Sequence, residues 1–209
     1  MVKITGPMMS LDAEGTLGDA ITFAKWKGRP YVRQRVIPTN PKTGPQLGRR
    51  AMFKFLTKEW DPFPDNWKAT WQEDADELVT SPFNAFMAEN MLRWHNFLPP
   101  GVLIPITNTG TIGTWYSVPV AAWIQNQIRF NCKLDAVNDN WGLAIFASPT
   151  GTFNTAVGNA ILILRLRDTA EQKFYWTPPQ VQTWYFDTRL FTLDGLLGAE
   201  QGEIWATPP

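Results

Sequence analysis

The chain has 209 residues, 44% of them hydrophobic and 18% charged, and its formal net charge is zero. That apolar content excludes a disordered chain, and the neutral balance argues against a protein devoted to coating nucleic acid, which carries a strong positive excess. One cysteine, Cys132, excludes an intrachain disulfide and fits a reducing compartment. One histidine, His95, distant from it in sequence, leaves neither a zinc ligand set nor a Cys–His catalytic pair.

In chain order, "AITFAKW" and "YVRQRVI" read as two strands joined by "KGRP", a β-hairpin. Alternation puts Val32, Gln34 and Val36 on one face and Arg33, Arg35 and Ile37 on the other, so one face is strongly basic. An isolated hairpin is marginally stable in water and must rest on something. "PTNPKTGPQ" follows, with Pro38, Pro41 and Pro45 in eight residues; this forbids helix and interior strand and predicts an extended tether.

Three helices come next. Thr43 is the expected N-cap of the first, with Pro45 in its first turn, and Leu47, Met52, Phe55 and Leu56 share its apolar face. After the break at "DPFPDNW", Trp67, Trp71, Ala75 and Leu78 form the stripe of a second helix, opposite a solvated acidic face of Glu73, Asp74, Asp76 and Glu77. The third opens at Ser81 with Pro82 behind it, and Phe83, Phe86, Met87, Asn90, Met91 and Trp94 give its face. "LPPGVLIP" ends the helical pattern. Beyond it seven short runs read as strands: "TWYSVPV", "NQIRFNCKLDA", "WGLAIFASP", "AILILRLR", "KFYWTPP", "TWYFDTRLFTL" and "GEIWATP". Their number and spacing predict an antiparallel sandwich.

Chemistry leaves little trace. "GTLGDA" and "GPQLGRR" lack the spacing of a phosphate-cradling loop, and no nucleophile elbow, HExxH or CxxC motif occurs. Asp135, Asp139 and Asn140 read as turn residues rather than calcium ligands. No catalytic residue, cofactor or metal is expected. No stretch approaches the roughly 20 apolar residues of a membrane span, and the N-terminus lacks a signal peptide's apolar run, so a soluble chain made in a cytoplasm is expected.

Charge is segregated. Residues 25 to 50 hold eight basic side chains and no acid, whereas residues 59 to 77 hold seven acids and one lysine, Lys68. Trp26 and Tyr31 among Lys25, Lys27, Arg29, Arg33 and Arg35 could stack bases, but the neutral total, the tether and the acidic stretch nearby favour docking on protein. The candidate docking residues are Trp26, Arg29, Tyr31, Arg33, Arg35, Pro38, Asn40, Pro41, Arg49 and Arg50.

Two resemblances add to this reading. Gly15, Gly18, Phe23, Trp26, Gly28, Arg33, Pro38, Asn40, Pro41, Thr43, Gln46, Arg49 and Phe53 carry a pattern that resembles the N-terminal region of small structural proteins of tailed phages and prophages. "WGLAIFASP", then "TWYFDTRLFTLDG" with Tyr185 and Gly195, and finally "EQGEIWATPP" resemble strands of an immunoglobulin-like or fibronectin type III-like domain without its cysteine pair. The expected fold is α+β: a basic β-hairpin arm and tether over 1–42, a helical unit over 43–98 and an Ig-like sandwich over 101–209. The first resemblance implies a virion or morphogenesis component; with no catalytic motif in the chain, the expectation is a non-enzymatic virion protein, made in the host cytoplasm and present in many copies or as a homo-oligomer. Its partner would be the major capsid or another virion protein, as for a capsid decoration or cement protein. A neck or tail accessory, a glycan- or receptor-binding module and a nucleic-acid-binding protein are the alternatives.

Overall fold

The computed structural model describes residues 15–18, 20–26, 29–37, 43–108, 112, 115–134, 141–165 and 170–209. The protein is α+β and divides into two compact units, Met1–Pro41 and Lys42–Pro209.

The first unit is an antiparallel sheet ordered β1-β2-β3. β2 (Ile21–Trp26) and β3 (Arg29–Gln34) pair as the expected hairpin, and β1 (Gly15–Leu17) adds a strand on the far side of β2.

The second unit is built in three layers. β4 (Trp115–Ile124), β5 (Gln127–Leu134) and β8 (Gln172–Trp176) form one sheet in the order β4-β5-β8. β6 (Trp141–Ser148), β7 (Ala160–Arg165), β9 (Trp184–Thr192) and β10 (Leu197–Glu200) form the other in the order β10-β9-β6-β7, with β11 (Ile204–Ala206) also on β9. The first, second and fifth strands of the sandwich share one sheet and the remainder the other, which is the partition of an immunoglobulin-like sandwich. β10 has no counterpart in the sequence reading.

Between the sheets Ile128, Phe130 and Cys132 of β5 meet Leu143, Ile145, Phe186 and Leu190 of β6 and β9. Phe130 stands edge-on to Phe186 at 4.9 Å, and Trp176 edge-on to Trp184 at 5.0 Å. The opposite face of β6 and β9 is also covered. All eight residues of β6 are buried, because α1 (Gly44–Trp60) and α4 (Pro82–His95) pack on Ala144, Phe146, Ile163 and Phe191. The helices and the sandwich, successive in sequence, therefore share one core.

Local chemistry sets these contacts. Thr43 is the N-cap of α1, in extended backbone, with proline in the first turn, although its side chain makes no capping bond. Ser81 caps α4 by accepting from Asn84 N at 3.2 Å. A Cβ on Gly48 would collide with Val157 O, so only glycine lets α1 lie this close to the 3-10 turn Val157–Asn159. A Cβ on Gly142, the strand partner of Phe191, would meet the Phe191 ring, which lies across that glycine and stands edge-on to Phe55 of α1 at 5.7 Å. Arg165 Nη1 of β7 pairs with the buried Glu59 of α1 at 2.7 Å.

The second helix departs from expectation. It breaks into α2 (Asp65–Ala69) and α3 (Gln72–Glu77), because Trp71 leaves helical geometry and sends its indole N–H to Val102 O at 2.7 Å. The break ends the apolar stripe: Trp71 and Ala75 are buried, whereas Leu78 is 62% exposed.

The crossing from helices to sandwich is held by Asn90, which is fully buried. Its Oδ1 accepts from Gly101 N at 2.7 Å, and its Nδ2 donates to Gly101 O and Phe86 O at 3.0 Å. The amide thus acts as a neighbouring strand for Gly101, whose other side bridges Asp194. Asn90→Ala would leave both buried Gly101 groups unpaired, at about 1–3 kcal/mol each. The expected result is a lower urea midpoint with an unchanged m-value, whereas alanine at the exposed Lys54 of α1 leaves the midpoint in place.

Candidate docking surface

The arm is short of apolar burial. No described residue of β1, β2 or β3 is buried. Every residue of β3 is exposed. Pairing sets Ala24 opposite Tyr31, Thr22 opposite Arg33 and Trp26 opposite Arg29. Alternation therefore puts Arg29, Tyr31 and Arg33 on one face with Thr22 and Ala24, and Leu17, Ile21, Phe23 and Val32 on the other. Arg35 N donates to Ala20 O at 2.8 Å, so the odd-numbered residues of β3 bond inward to β2 and the even-numbered ones face the free edge. Pro30 falls on that outward edge, where its missing N–H blunts further strand addition.

The arm thus brings Arg29, Tyr31 and Arg33 together, with Arg35 continuing the row and reaching Gly18 O through its guanidinium at 3.4 Å. Trp26 closes the hairpin opposite Arg29. Pro38, Asn40 and Pro41 lie outside the described residues. Arg49 and Arg50 belong to the other unit, on the exposed side of α1. Arg49 Nη2 lies 3.0 Å from His95 Nδ1, a contact that ties α1 to α4. A guanidinium only donates, so the imidazole accepts at Nδ1.

The sequence reading missed a second exposed feature. After α3 the chain turns through Leu78 and Val79, 62% and 93% exposed. Val79 has φ 51°, the left-handed position that closes a helix, with Thr80 N on Ala75 O at 2.9 Å. Glycine is usual there, and an L-residue costs about 1–2 kcal/mol. Glu73, Asp76 and Glu77 are exposed or half-buried on the same element. The φ cannot be read from composition; the signal available was a pair of apolar residues directly after four acids.

Reactive chemistry is scarce. Among the described residues no group of three or more His, Cys, Asp or Glu could hold a metal ion, and no described helix is long and apolar enough to cross a membrane. Asp187, buried on β9, has its carboxyl pushed up by desolvation, against the pull of the Thr188 and Gln201 amides. Glu200 is held below the usual carboxylate range by the Thr155 hydroxyl and Arg189. Burial, and after it the charge of Glu171, pushes the Cys132 thiol up to about 12. An ordinary thiol ionises near ~8.5, so the native chain should resist iodoacetamide at about pH 8 and take up one label per chain only after unfolding. Labelling of the native chain at the rate of a free thiol would contradict the buried placement.

No protein-family model matches the chain, and no curated protein matches it. Among solved structures it is similar to part of the Clostridium perfringens spore cortex lytic enzyme SleM, at 14% identity and a TM-score of 0.33. That likeness covers 46% of this chain and 29% of the enzyme's, and at this level it carries no argument about activity.

Proposed function

We propose that this chain is a non-enzymatic structural protein of a tailed-phage particle, a capsid decoration or cement protein present in many copies, which docks through its N-terminal basic arm. The observation that carries the reading is the contrast between the two units. Residues 42–209 hold two buried cores, whereas no described residue of β1, β2 or β3 is buried. A small sheet with an exposed apolar face lacks the burial that independent stability requires, so the arm is suited to being completed by a partner. Its row of Arg29, Tyr31 and Arg33 offers guanidinium and phenol groups of the kind that dominate protein interfaces. The resemblance of about the first 97 residues to tailed-phage and prophage proteins, which implies a virion or morphogenesis component, supports the same class of role.

Two observations weigh against the rival readings. The exposed aromatic side chains described on the sandwich, Tyr175 and Trp205, belong to different sheets and form no common platform for stacking a glycan. The net charge of zero gives little general attraction to nucleic acid.

The test is stepwise disruption of purified particles, with the chain quantified by mass spectrometry against the major shell protein. Decoration predicts a copy number comparable to the shell protein and release ahead of shell collapse. A handful of copies would place the chain in a neck or tail instead, and absence from particles would overturn the structural reading.

A further inference from the structure

The docking reading leaves the receptor of the arm unnamed, and the charge pattern of the chain itself supplies one. The arm's exposed face carries Arg29, Tyr31 and Arg33, and beyond β3 stand Val36 and Ile37, 75% and 71% exposed. The chain holds a surface of opposite sign and matching character. Leu78 and Val79 project beside Glu73, Asp76 and Glu77. Lys68, the one basic residue among the seven acids of 59–77, is engaged with Asp61 O at 3.3 Å and lies over the Trp60 ring at 5.9 Å. One surface presents cations around an aromatic ring with exposed aliphatics following; the other presents carboxylates around exposed aliphatics. Complementary potentials with a small apolar centre are what select partner and register in protein association.

We propose that the cationic face of the arm docks on the acidic turn after α3 of a second copy of this chain. The inference rests on the docking reading and deepens it by naming the receptor. It also accounts for a chain whose total charge is zero while its opposite charges lie in separate segments: such copies attract head to tail. A contact of that kind is either exchanged reciprocally between two copies or passed head to tail into rings or arrays.

The test is a charge-exchange experiment on the full chain, read by sedimentation velocity. One variant carries Glu73→Lys, Asp76→Lys and Glu77→Lys, which leaves Asp74 as the one acid beside three lysines; the other carries Arg29→Glu and Arg33→Glu. All five positions are exposed, so folding is expected to survive and is checked by circular dichroism. The unaltered chain should associate, and the association should weaken between about 0.01 M salt, where the screening length is about 30 Å, and about 1 M, where it is about 3 Å. Each variant alone should be monomeric, since its arm and turn carry the same sign. Mixed, the two should associate again, because each arm then meets a turn of opposite sign on the other chain, which only a contact between copies can produce. A third variant, Val79→Gly, relieves the left-handed valine and should raise the thermal midpoint by about 2–4 °C while weakening association. The inference is overturned if the unaltered chain stays monomeric at low salt, if a charge variant associates as well as it does, or if the mixture remains monomeric. Rebinding to stripped particles separates the two claims. Loss of attachment by the Arg29→Glu, Arg33→Glu chain, with no rescue on mixing, leaves the arm docking on some other protein; undiminished attachment removes the docking reading itself.

Discussion

The β6–β9 strand pair is buried on both faces, and the architecture of residues 42–209 follows from that constraint. Leu143, Ile145 and Phe146 of β6 are all fully buried, the first two in the core between the sheets and the third in the core beneath the helices. At about 1.5–3 kcal/mol for each such side chain, this one strand contributes on the scale of a whole domain's net stability, about 5–15 kcal/mol. That contribution exists only if two separate layers cover the pair. The three-stranded sheet supplies one, as in any sandwich of this kind. The helices supply the other, over a face that an immunoglobulin-like domain would ordinarily leave to solvent. The special residues at the helix–sheet boundary serve this second covering. Gly48 admits the α1 backbone, Gly142 lets Phe191 lie flat toward Phe55, and Asn90 turns the end of the helical segment into a strand-like neighbour for Gly101.

The arm is the opposite case. Its described strands have backbone pairing but no fully buried side chain, and they are rich in charge. Hydrogen bonds alone contribute only about 0.5–1.5 kcal/mol each in water, so its ladder gains most when a second surface shields it. A doubly covered body and an arm whose described residues include no buried side chain suit the attachment role proposed above. Cys132, the lone thiol, is sealed between the sheets.

Much of the fold was legible in the sequence, for identifiable reasons. Thr43 with Pro45 and Ser81 with Pro82 mark helix starts because each places a β-region cap before a proline that needs no amide partner. "LPPG" marks the change to β structure because proline cannot continue a helix. Three features were hidden because each depends on a distant partner. The stripe Trp67, Trp71, Ala75, Leu78 looks continuous, but Val102 O captures the Trp71 indole and breaks the helix there. β1 and β10 are three and four residues long, too short for alternation to register. Double burial of β9 was masked by its clean alternation: Trp184, Phe186 and Leu190 face one core while Phe191 and the following Leu193 face the other. Of the docking candidates, Arg33 and Arg35 could be put on one face because strand alternation is local; Arg29 reads as part of the connection, whereas pairing with Trp26 brings it into β3, and the Arg49 contact with His95 spans 46 residues and could not be read from spacing.

The central claim is that the arm is completed by a partner while the body stands alone. Hydrogen exchange on the full chain, free at low concentration and then attached to particles, tests it most directly. The account predicts that amides of β2 and β3 exchange nearly as fast as an unfolded peptide in the free chain and become protected on attachment, while those of β6 and β9 are the slowest in both states. Protection of β2 and β3 equal to that of β6 in the free monomer would contradict it.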